Sequence, residues 1–163
     1  MQPSHPTYFA SLGKWEKGRA EIISGSVKHY VFSNMFDVAT RSKTYEKVVV
    51  GKNLEYVMET LRAEGASPWY ACAHDEFAIC MDGEVEIQFV KLDSPAAGKN
   101  GAVRVEGEPK GRRMGSVRLK RGHQALLPAL AAYQFNARET GVILLQTMLG
   151  ALSVERWSEI CEK

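Results

Sequence analysis

Three side chains carry most of the chemistry that this sequence can offer: His74, Glu76 and Tyr133. A histidine can act as a general base near neutral pH, and a phenol can act as an acid. A carboxylate can bind a metal ion or orient the histidine. Because residues two apart in a strand face the same side, His74 and Glu76 can converge on one site. The residue types therefore allow either a residual metal site or metal-free acid–base chemistry.

The stretch 69–86 (WYACAHDEFAICMDGEVE) places Glu76 seven residues before a turn glycine, Gly83. It resembles the first motif of the cupin superfamily: glycine, His-x-His, three or four residues, glutamate, six residues and glycine. Glu76, the six residues FAICMD and Gly83 match its second half. The His-x-His portion falls around Trp69–Cys72, where the sequence has no histidine. His74 is out of register, two residues before the glutamate.

A second stretch, 122–137 (GHQALLPALAAYQFNA), resembles the second cupin motif. Gly122, HQALL and Pro128 match its opening. Leu130 stands at the second glycine position, Tyr133 at the histidine position and Ala137 at the asparagine position. The spacing of the motif is kept, and its metal ligand is missing.

These replacements predict that the chain binds no metal ion. An iron or manganese site needs several nitrogen and carboxylate ligands that converge, and only Glu76 remains in register. His74 and His123 could be recruited, but His123 lies in the turn before its strand. Glu76 could instead be satisfied by Tyr133 or His74 as a buried polar cluster. Tyr133 is then a packed aromatic residue, and His74 a hydrogen-bonded histidine at the barrel mouth.

The elements that position these residues are mainly short strands. β-Branched and aromatic runs separated by turn residues predict a jelly-roll barrel with a few peripheral helices. Residues 34–38 and 46–50 read as strands, and Asp82-Gly83 predicts a hairpin turn before the strand 84–92. Polar and apolar residues alternate in this strand, so Val85, Ile87 and Phe89 are expected to face one side. The segment 93–115, with a basic cluster at 110–113, predicts a surface loop.

Two segments predict helices. Asn53 can cap a helix over residues 53–64, in which Leu54, Val57, Met58 and Leu61 form one apolar stripe before Gly65 ends it. Residues 154–161 predict a second, amphipathic helix. We expect one cupin domain over 1–163, with residues 1–20 as an extended aromatic arm.

Composition excludes several function classes. The net charge of +2 gives no sign of nucleic-acid binding, and no apolar run is long enough to span a membrane. Three cysteines without CxxC spacing indicate reduced thiols rather than a disulfide framework. The N-terminal sequence lacks a basic start followed by an apolar run, so we expect no signal peptide and a cytoplasmic location.

Across most of residues 45–147 the chain resembles the small (alpha) subunit of two-subunit hydroquinone 1,2-dioxygenases. The segments that carry this resemblance are YEKVVVGKNLEYVMETLRAEGASPW, HDEFAICMDGEVEIQFVKLD, EPKGRRMGSV, RGHQALLPALAAYQF and GVILLQT. The resemblance implies a larger cupin subunit that holds Fe(II), an α2β2 heterotetramer, and no cofactor in this chain. It also implies cleavage of hydroquinone with O2 to 4-hydroxymuconic semialdehyde, in the breakdown of 4-nitrophenol or 4-hydroxyacetophenone.

The residues alone leave another hypothesis open: a metal-free cupin isomerase or epimerase. His74 would be its base, Tyr133 its acid, and Glu76 would orient the histidine. This hypothesis requires His74 and Tyr133 to face one cavity from opposite sides. A ligand-binding or sensor barrel is a third possibility, without an attached DNA-binding or signalling domain to favour it.

Overall fold

The structure is a computed structural model that describes residues 33–95 and 98–160. Its strands are β1 (Lys47–Asn53), β2 (Tyr56–Ala66), β3 (Tyr70–Cys72), β4 (Glu76–Asp82), β5 (Glu84–Leu92), β6 (Ala102–Arg104), β7 (Gly111–Lys120), β8 (Gln124–Leu127), β9 (Ala131–Met148) and β10 (Ser153–Val154). The helices are α1 (Met35–Arg41) and α2 (Trp157–Ile160). The predicted mainly β jelly-roll barrel with few peripheral helices is confirmed. The predicted arm, residues 1–20, lies outside the described residues.

The long strand β9 organises the sheet. Its first part pairs antiparallel with β3 and β5, and its second part lies between β2 and β4. The sheet continues from β2 through β1 to β10, from β4 to β8, and from β5 to β7. One strand thus joins both halves of the curled sheet, and its alternate side chains line the interior.

The barrel interior is one apolar cluster, built by alternation along the strands. Val85 and Ile87 of β5 face inward, as the alternating sequence predicted, and are fully buried. Phe135, Ile143 and Leu145 of β9 join them in the same cluster. A second cluster lies outside the sheet, where Val38 of α1 and Ile160 of α2 pack on Val48.

The helix predicted over 53–64 is wrong, because this segment forms the end of β1, a turn and β2. Every second residue from Val57 to Ala63 is buried, including Leu61, whereas Met58 is exposed. Leu54 is in the turn with φ +57°. Gly65 does adopt the predicted left-handed conformation, but at a bulge in the β2–β9 ladder rather than at a helix end. Pairing with β9 along the whole length of β2 outweighs the local helical pattern.

Other local predictions also change. Residues 34–38 form the start of α1 instead of a strand, because the Asn34 side chain accepts hydrogen bonds from the backbone N–H groups of Phe36 and Asp37. In the C-terminal segment, Val154 belongs to β10, and α2 begins only at Trp157. The predicted loop 93–115 contains β6 and the start of β7, on which Arg112 and Arg113 are exposed.

The Asp82-Gly83 turn is a corner of the barrel rather than a hairpin. Gly83 has φ +74°, but the flanking strands β4 and β5 each pair with β9 and not with each other. A β-carbon on Gly83 would lie 3.0 Å from the Cα atom of Gly141, and one on Gly141 would lie 2.7 Å from the carbonyl oxygen of Asp82. Glycine is needed on both sides because the two backbones touch here. In the described part of the chain, no helix is long and apolar enough to cross a membrane.

Substitutions in β2 test the strand assignment, because a helix would place Leu61 and Met58 on one face. We expect Leu61→Ala to cost about 2–5 kcal/mol of unfolding free energy, since Leu61 is fully buried. Met58→Ala is expected to cost less than about 1 kcal/mol, because its side chain is exposed. Urea denaturation of both variants provides the measurement. Equal losses would contradict the two-residue alternation.

Candidate functional site

The positions that carry metal ligands in the cupin motifs converge inside the barrel. Tyr70 and Cys72 lie on β3, Glu76 begins β4, and Tyr133 lies on β9. All four side chains are buried. Strand alternation places Tyr70 and Cys72, rather than Trp69 and Ala71, at the inward positions where His-x-His was expected. The structure therefore locates each replacement: tyrosine, cysteine, and a second tyrosine around the remaining glutamate.

Glu76 and Tyr133 form a hydrogen bond at the centre of this group. The phenol of Tyr133 donates to Oε2 of Glu76 at 2.6 Å, and both residues are almost completely inaccessible to solvent. Oε1 of Glu76 accepts no hydrogen bond from the residues described. On its own sheet Tyr133 is directly opposite Tyr70 in the β3–β9 ladder, and their ring centroids are 5.8 Å apart.

Protonation of the neighbouring groups follows from burial. Burial, followed by the negative charge of Glu76, raises the pKa of Tyr133 well above its usual value of 10. The same two causes raise the pKa of Cys72 to about 11. Tyr133 therefore remains a hydrogen-bond donor at neutral pH, and Cys72 remains a thiol.

This donor set does not fit Fe(II). A cupin iron site needs several converging nitrogen and carboxylate ligands, whereas here Glu76 is the one carboxylate beside two phenols and a thiol, and the His74 ring lies at Gly101. Within residues 33–95 and 98–160, no group of three or more His, Cys, Asp and Glu side chains could hold a metal ion. Aromatic rings pack beside the Glu76–Tyr133 pair, since the ring centroids of Phe135 and Tyr133 are 5.3 Å apart.

His74 does not join this group. Its Nε2 accepts a hydrogen bond from the backbone N–H of Gly101 at 3.2 Å, and its Nδ1 is 2.9 Å from the carbonyl oxygen of Asp75. The expected common face with Glu76 fails because β4 begins only at Glu76, so His74 precedes the alternating strand. His123 is exposed in the turn before β8, where its Nδ1 accepts from the N–H of Lys120.

The geometry required for an isomerase is therefore not met by these residues. Tyr133 is enclosed among aromatic rings in the barrel core, and its phenol is engaged by Glu76. His74 lies partly exposed on the connection before β4 and contacts the loop at Gly101. Because acid and base do not face one cavity, proton transfer across a substrate would need a rearrangement of both.

Lys47 and Glu59 form a second pair of buried, charged residues inside the barrel. Nζ of Lys47 is 3.8 Å from Oε2 of Glu59, and Oε1 of Glu59 accepts a hydrogen bond from Ser153 at 2.5 Å. The Lys47 ammonium also lies 4.8 Å from the centroid of the Tyr70 ring. Lys47 and Glu59 thus extend the group toward the β1 end of the barrel. We call the whole set the interior polar cluster: Lys47, Glu59, Tyr70, Cys72, Glu76 and Tyr133.

Sequence reasoning missed Lys47 and Glu59, although a signal for one was present. The residues at 57, 59, 61 and 63 alternate with polar or exposed neighbours, and as a strand they place Glu59 on the inner face with Val57 and Leu61. The helical interpretation of the same segment hid this alternation. Burial raises the pKa of Glu59 above 4.5, although Lys47 and Ser153 oppose this shift.

The second motif keeps its backbone at a position where the residue type has changed. Leu130, at the glycine position, adopts φ +65°, a left-handed conformation that costs a branched side chain energy. Its side chain is half-exposed and carries no core contact that would require leucine. In the turn three residues before Tyr133, Leu130 thus adopts without a glycine the left-handed conformation that glycine favours.

Fold and site together define a jelly-roll barrel whose ligand positions are filled by a glutamate and protonated or aromatic side chains. A scan against protein-family models found no match, and a search of curated proteins also found none. Solved structures gave clear matches. Their sequence identities and coverage decide the family.

Two crystal structures match the whole chain. Hydroquinone 1,2-dioxygenase PnpCD in complex with Cd2+ and 4-hydroxybenzonitrile has a chain 59% identical, with 100% of both chains covered and a TM-score of 0.91. Hydroquinone 1,2-dioxygenase from Sphingomonas sp. TTNP3 with 4-hydroxybenzoate bound has one 46% identical, covering 98% of this chain and 99% of that chain, with a TM-score of 0.89. The chain belongs to the hydroquinone 1,2-dioxygenase family of ring-cleaving enzymes.

A third match shows a shared fold alone. A chain in the structure of PnpCD with Fe3+ is 13% identical and has a TM-score of 0.62. The match covers 83% of this chain but only 37% of that chain. A longer chain of that enzyme therefore contains a barrel of the same kind.

Tyr133→Phe tests the central hydrogen bond. The substitution keeps the packed ring but leaves Glu76 without its only hydrogen-bond donor among the described side chains, so we expect a loss of about 1–3 kcal/mol. Tyr56→Phe, at an exposed tyrosine, is the matched control and should change stability by less than about 0.5 kcal/mol. Guanidinium denaturation at neutral pH measures both. Equal stability of the two variants would contradict a structural role for the bond.

The raised pKa of Glu59 predicts a pH dependence of stability. The folded state keeps the Glu59 proton to higher pH than the unfolded chain does. Protonated Glu59 therefore adds to the free energy of unfolding in full below pH 4.5, and this stabilisation is lost as the pH rises through the pKa of Glu59 in the folded state. Glu59→Gln should remove this component, and the difference in unfolding free energy between wild type and variant should change across that window. A difference that stays constant from pH 4 upward would contradict the shift.

Proposed function

We propose that this chain is the small, non-metal-binding subunit of an Fe(II)-dependent hydroquinone 1,2-dioxygenase. The observation that carries the proposal is the full-length similarity to a PnpCD chain, at 59% identity. A longer PnpCD chain with the same fold is the natural counterpart of the larger subunit. The partner would hold the iron, and the complex would open the ring of hydroquinone with O2 to give 4-hydroxymuconic semialdehyde.

The interior polar cluster supports a structural role for this barrel. A catalytic cupin metal needs several converging ligands and open coordination positions, whereas Glu76 here is hydrogen-bonded to the phenol of Tyr133. We infer that Glu76 and Tyr133 stabilise the fold, and that His74 holds the loop at Gly101. His74, Glu76 and Tyr133 would then support assembly by maintaining the shape of the barrel, and they would take no part in the reaction.

The proposed assembly is an α2β2 heterotetramer in the cytoplasm, which degrades a small aromatic substrate such as the hydroquinone formed from 4-nitrophenol. We also propose that residues 1–163 form one cupin domain, in which residues 1–20 are an extended arm. Its supporting observation is that the match extends over 100% of both chains, so the whole length has a counterpart in PnpCD.

Separation of the subunits tests the proposal. The chain and its larger partner are co-produced, purified as a complex, separated and analysed for metal by mass spectrometry. We expect iron with the larger subunit, no ring cleavage by either chain alone without its partner, and recovery of activity on recombination with Fe(II). Native mass spectrometry should give two copies of each chain. One iron per molecule of this chain, or full activity of this chain alone, would overturn the proposal.

The assembled enzyme that carries Tyr133→Phe distinguishes a structural role of Tyr133 from a catalytic one. If the hydrogen bond only stabilises the barrel, the assembled variant keeps kcat for hydroquinone while its thermal stability falls. A loss of kcat of about 100-fold or more in a complex that still assembles and binds iron would assign Tyr133 to the chemistry. Tyr56→Phe is again the control.

A further inference from the structure

A small cavity opens at the end of the barrel where β1 begins. It has a volume of about 260 Å³, below the size of most drug-binding pockets. Its walls come from the loop before β1, from β3 and β6, and from the segment around β10. The residues that matter for recognition are Lys43, Tyr45, Lys47, Tyr70, Arg104 and Leu152.

The lining is strongly cationic. Lys43, Lys47 and Arg104 border the cavity, and Glu46 is its only carboxylate. That carboxylate is already engaged, since its Oε2 accepts from the backbone N–H of Lys43 at 3.1 Å and lies 3.4 Å from the guanidinium of Arg156. In the described part of the chain, neither Lys43 nor Arg104 forms an ion pair. An anion would therefore meet uncompensated positive charge at the rim.

The inner end adds a buried cation. The Lys47 side chain is only 3% exposed, and its ammonium donates no hydrogen bond to any described residue. Its nearest carboxylate oxygen, on Glu59, is 3.8 Å away, and the pKa of that carboxyl group is raised. A buried ammonium that is incompletely compensated favours an anion nearby.

The remaining walls come from Tyr45 and Tyr70, which are 6% and 1% exposed, and from the half-buried residues Leu152 and Val154. Tyr70 faces the cavity beside Arg104, its direct partner in the β3–β6 ladder, and no hydrogen bond joins the Tyr70 phenol to another described residue. Tyr45 holds a left-handed backbone with φ +56° while its phenol donates to the carbonyl of Gly65. Aromatic and aliphatic surfaces beside a guanidinium are the features that recognise a planar organic anion.

We propose that this cavity binds a small aromatic carboxylate, with the carboxylate at Arg104 and the ring against Tyr45 and Leu152. Arg104 supplies a fork of N–H donors that matches a carboxylate, and Lys47 adds positive charge from behind the Tyr70 ring. Inorganic anions lack the flat apolar body that these walls would bury. The inference goes beyond the proposed function and does not depend on it, because the cavity is built from this chain alone.

Titration of the full chain with benzoate tests the proposal, with benzamide as its neutral analogue of the same shape. Tyrosine fluorescence and isothermal calorimetry report binding. We expect saturation with a dissociation constant of about 1 mM or tighter, the range open to a ligand of this size, and binding of benzamide about tenfold weaker or more. No saturable binding, or equal binding of the two compounds, would overturn the proposal.

Variants at Arg104 and Lys47 localise the site, and a variant at Arg121 is the control. Arg104→Gln should weaken benzoate binding about tenfold or more, whereas Arg121→Gln, an exposed arginine in the turn before β8, should leave it unchanged. Lys47→Met should also weaken it, and the Arg104 pair decides the outcome if the Lys47 variant does not fold. Equal effects of Arg104→Gln and Arg121→Gln would place any binding elsewhere and overturn the assignment. Benzoate binding to this cavity does not depend on where iron binds. A failure of the benzoate proposal would therefore leave the proposed function intact, and a failure of the proposed function would leave the benzoate proposal intact.

Discussion

A carboxylate at the centre of a β-barrel must be coordinated, hydrogen-bonded or neutralised, because its desolvation is too costly to leave uncompensated. In this barrel Glu76 meets that requirement through the phenol of Tyr133 at 2.6 Å. The same contact sets the local chemistry: the negative charge of Glu76 helps to keep Tyr133 and Cys72 protonated. A motif built for metal coordination is thereby converted into a packed hydrogen-bonded pair.

The barrel interior holds a second buried carboxylate, which is also partly compensated by its neighbours. Lys47 and Glu59 bring a second buried carboxylate and a cation into the barrel, and the Tyr70 ring lies between Lys47 and the central pair. Buried pairs of this kind are sensitive to the loss of one partner, because the other charge is left without compensation. Strand alternation fixes each of these side chains on the inner face, so their arrangement depends on the register of β2, β3 and β9.

Family membership and metal content are separate questions for this chain. The similarity over full length to hydroquinone 1,2-dioxygenase chains assigns the family, while the residues at the motif positions describe what this barrel can coordinate. The two agree if a partner chain holds the iron, and PnpCD contains a longer chain with a barrel of the same fold.

The sequence alone determined the barrel class and the motif register. The resemblance of 69–86 and 122–137 to the two cupin motifs singled out Glu76 and Tyr133, but it left either Tyr133 or His74 as the partner of the Glu76 carboxylate. It also identified the family through long stretches of similar residues. Alternation in 84–92 correctly predicted the inward face of β5.

Tertiary structure decided the rest. The segment 53–64 satisfies both a helical stripe and a strand, and only pairing with β9 selects the strand and buries Glu59. His74 is two residues from Glu76 in sequence, but the strand begins after it, so its ring contacts Gly101 instead. Asp82-Gly83 has the composition of a hairpin, yet both flanking strands find β9. In each case local sequence allows two outcomes, and long-range strand pairing, which local patterns do not encode, chooses between them.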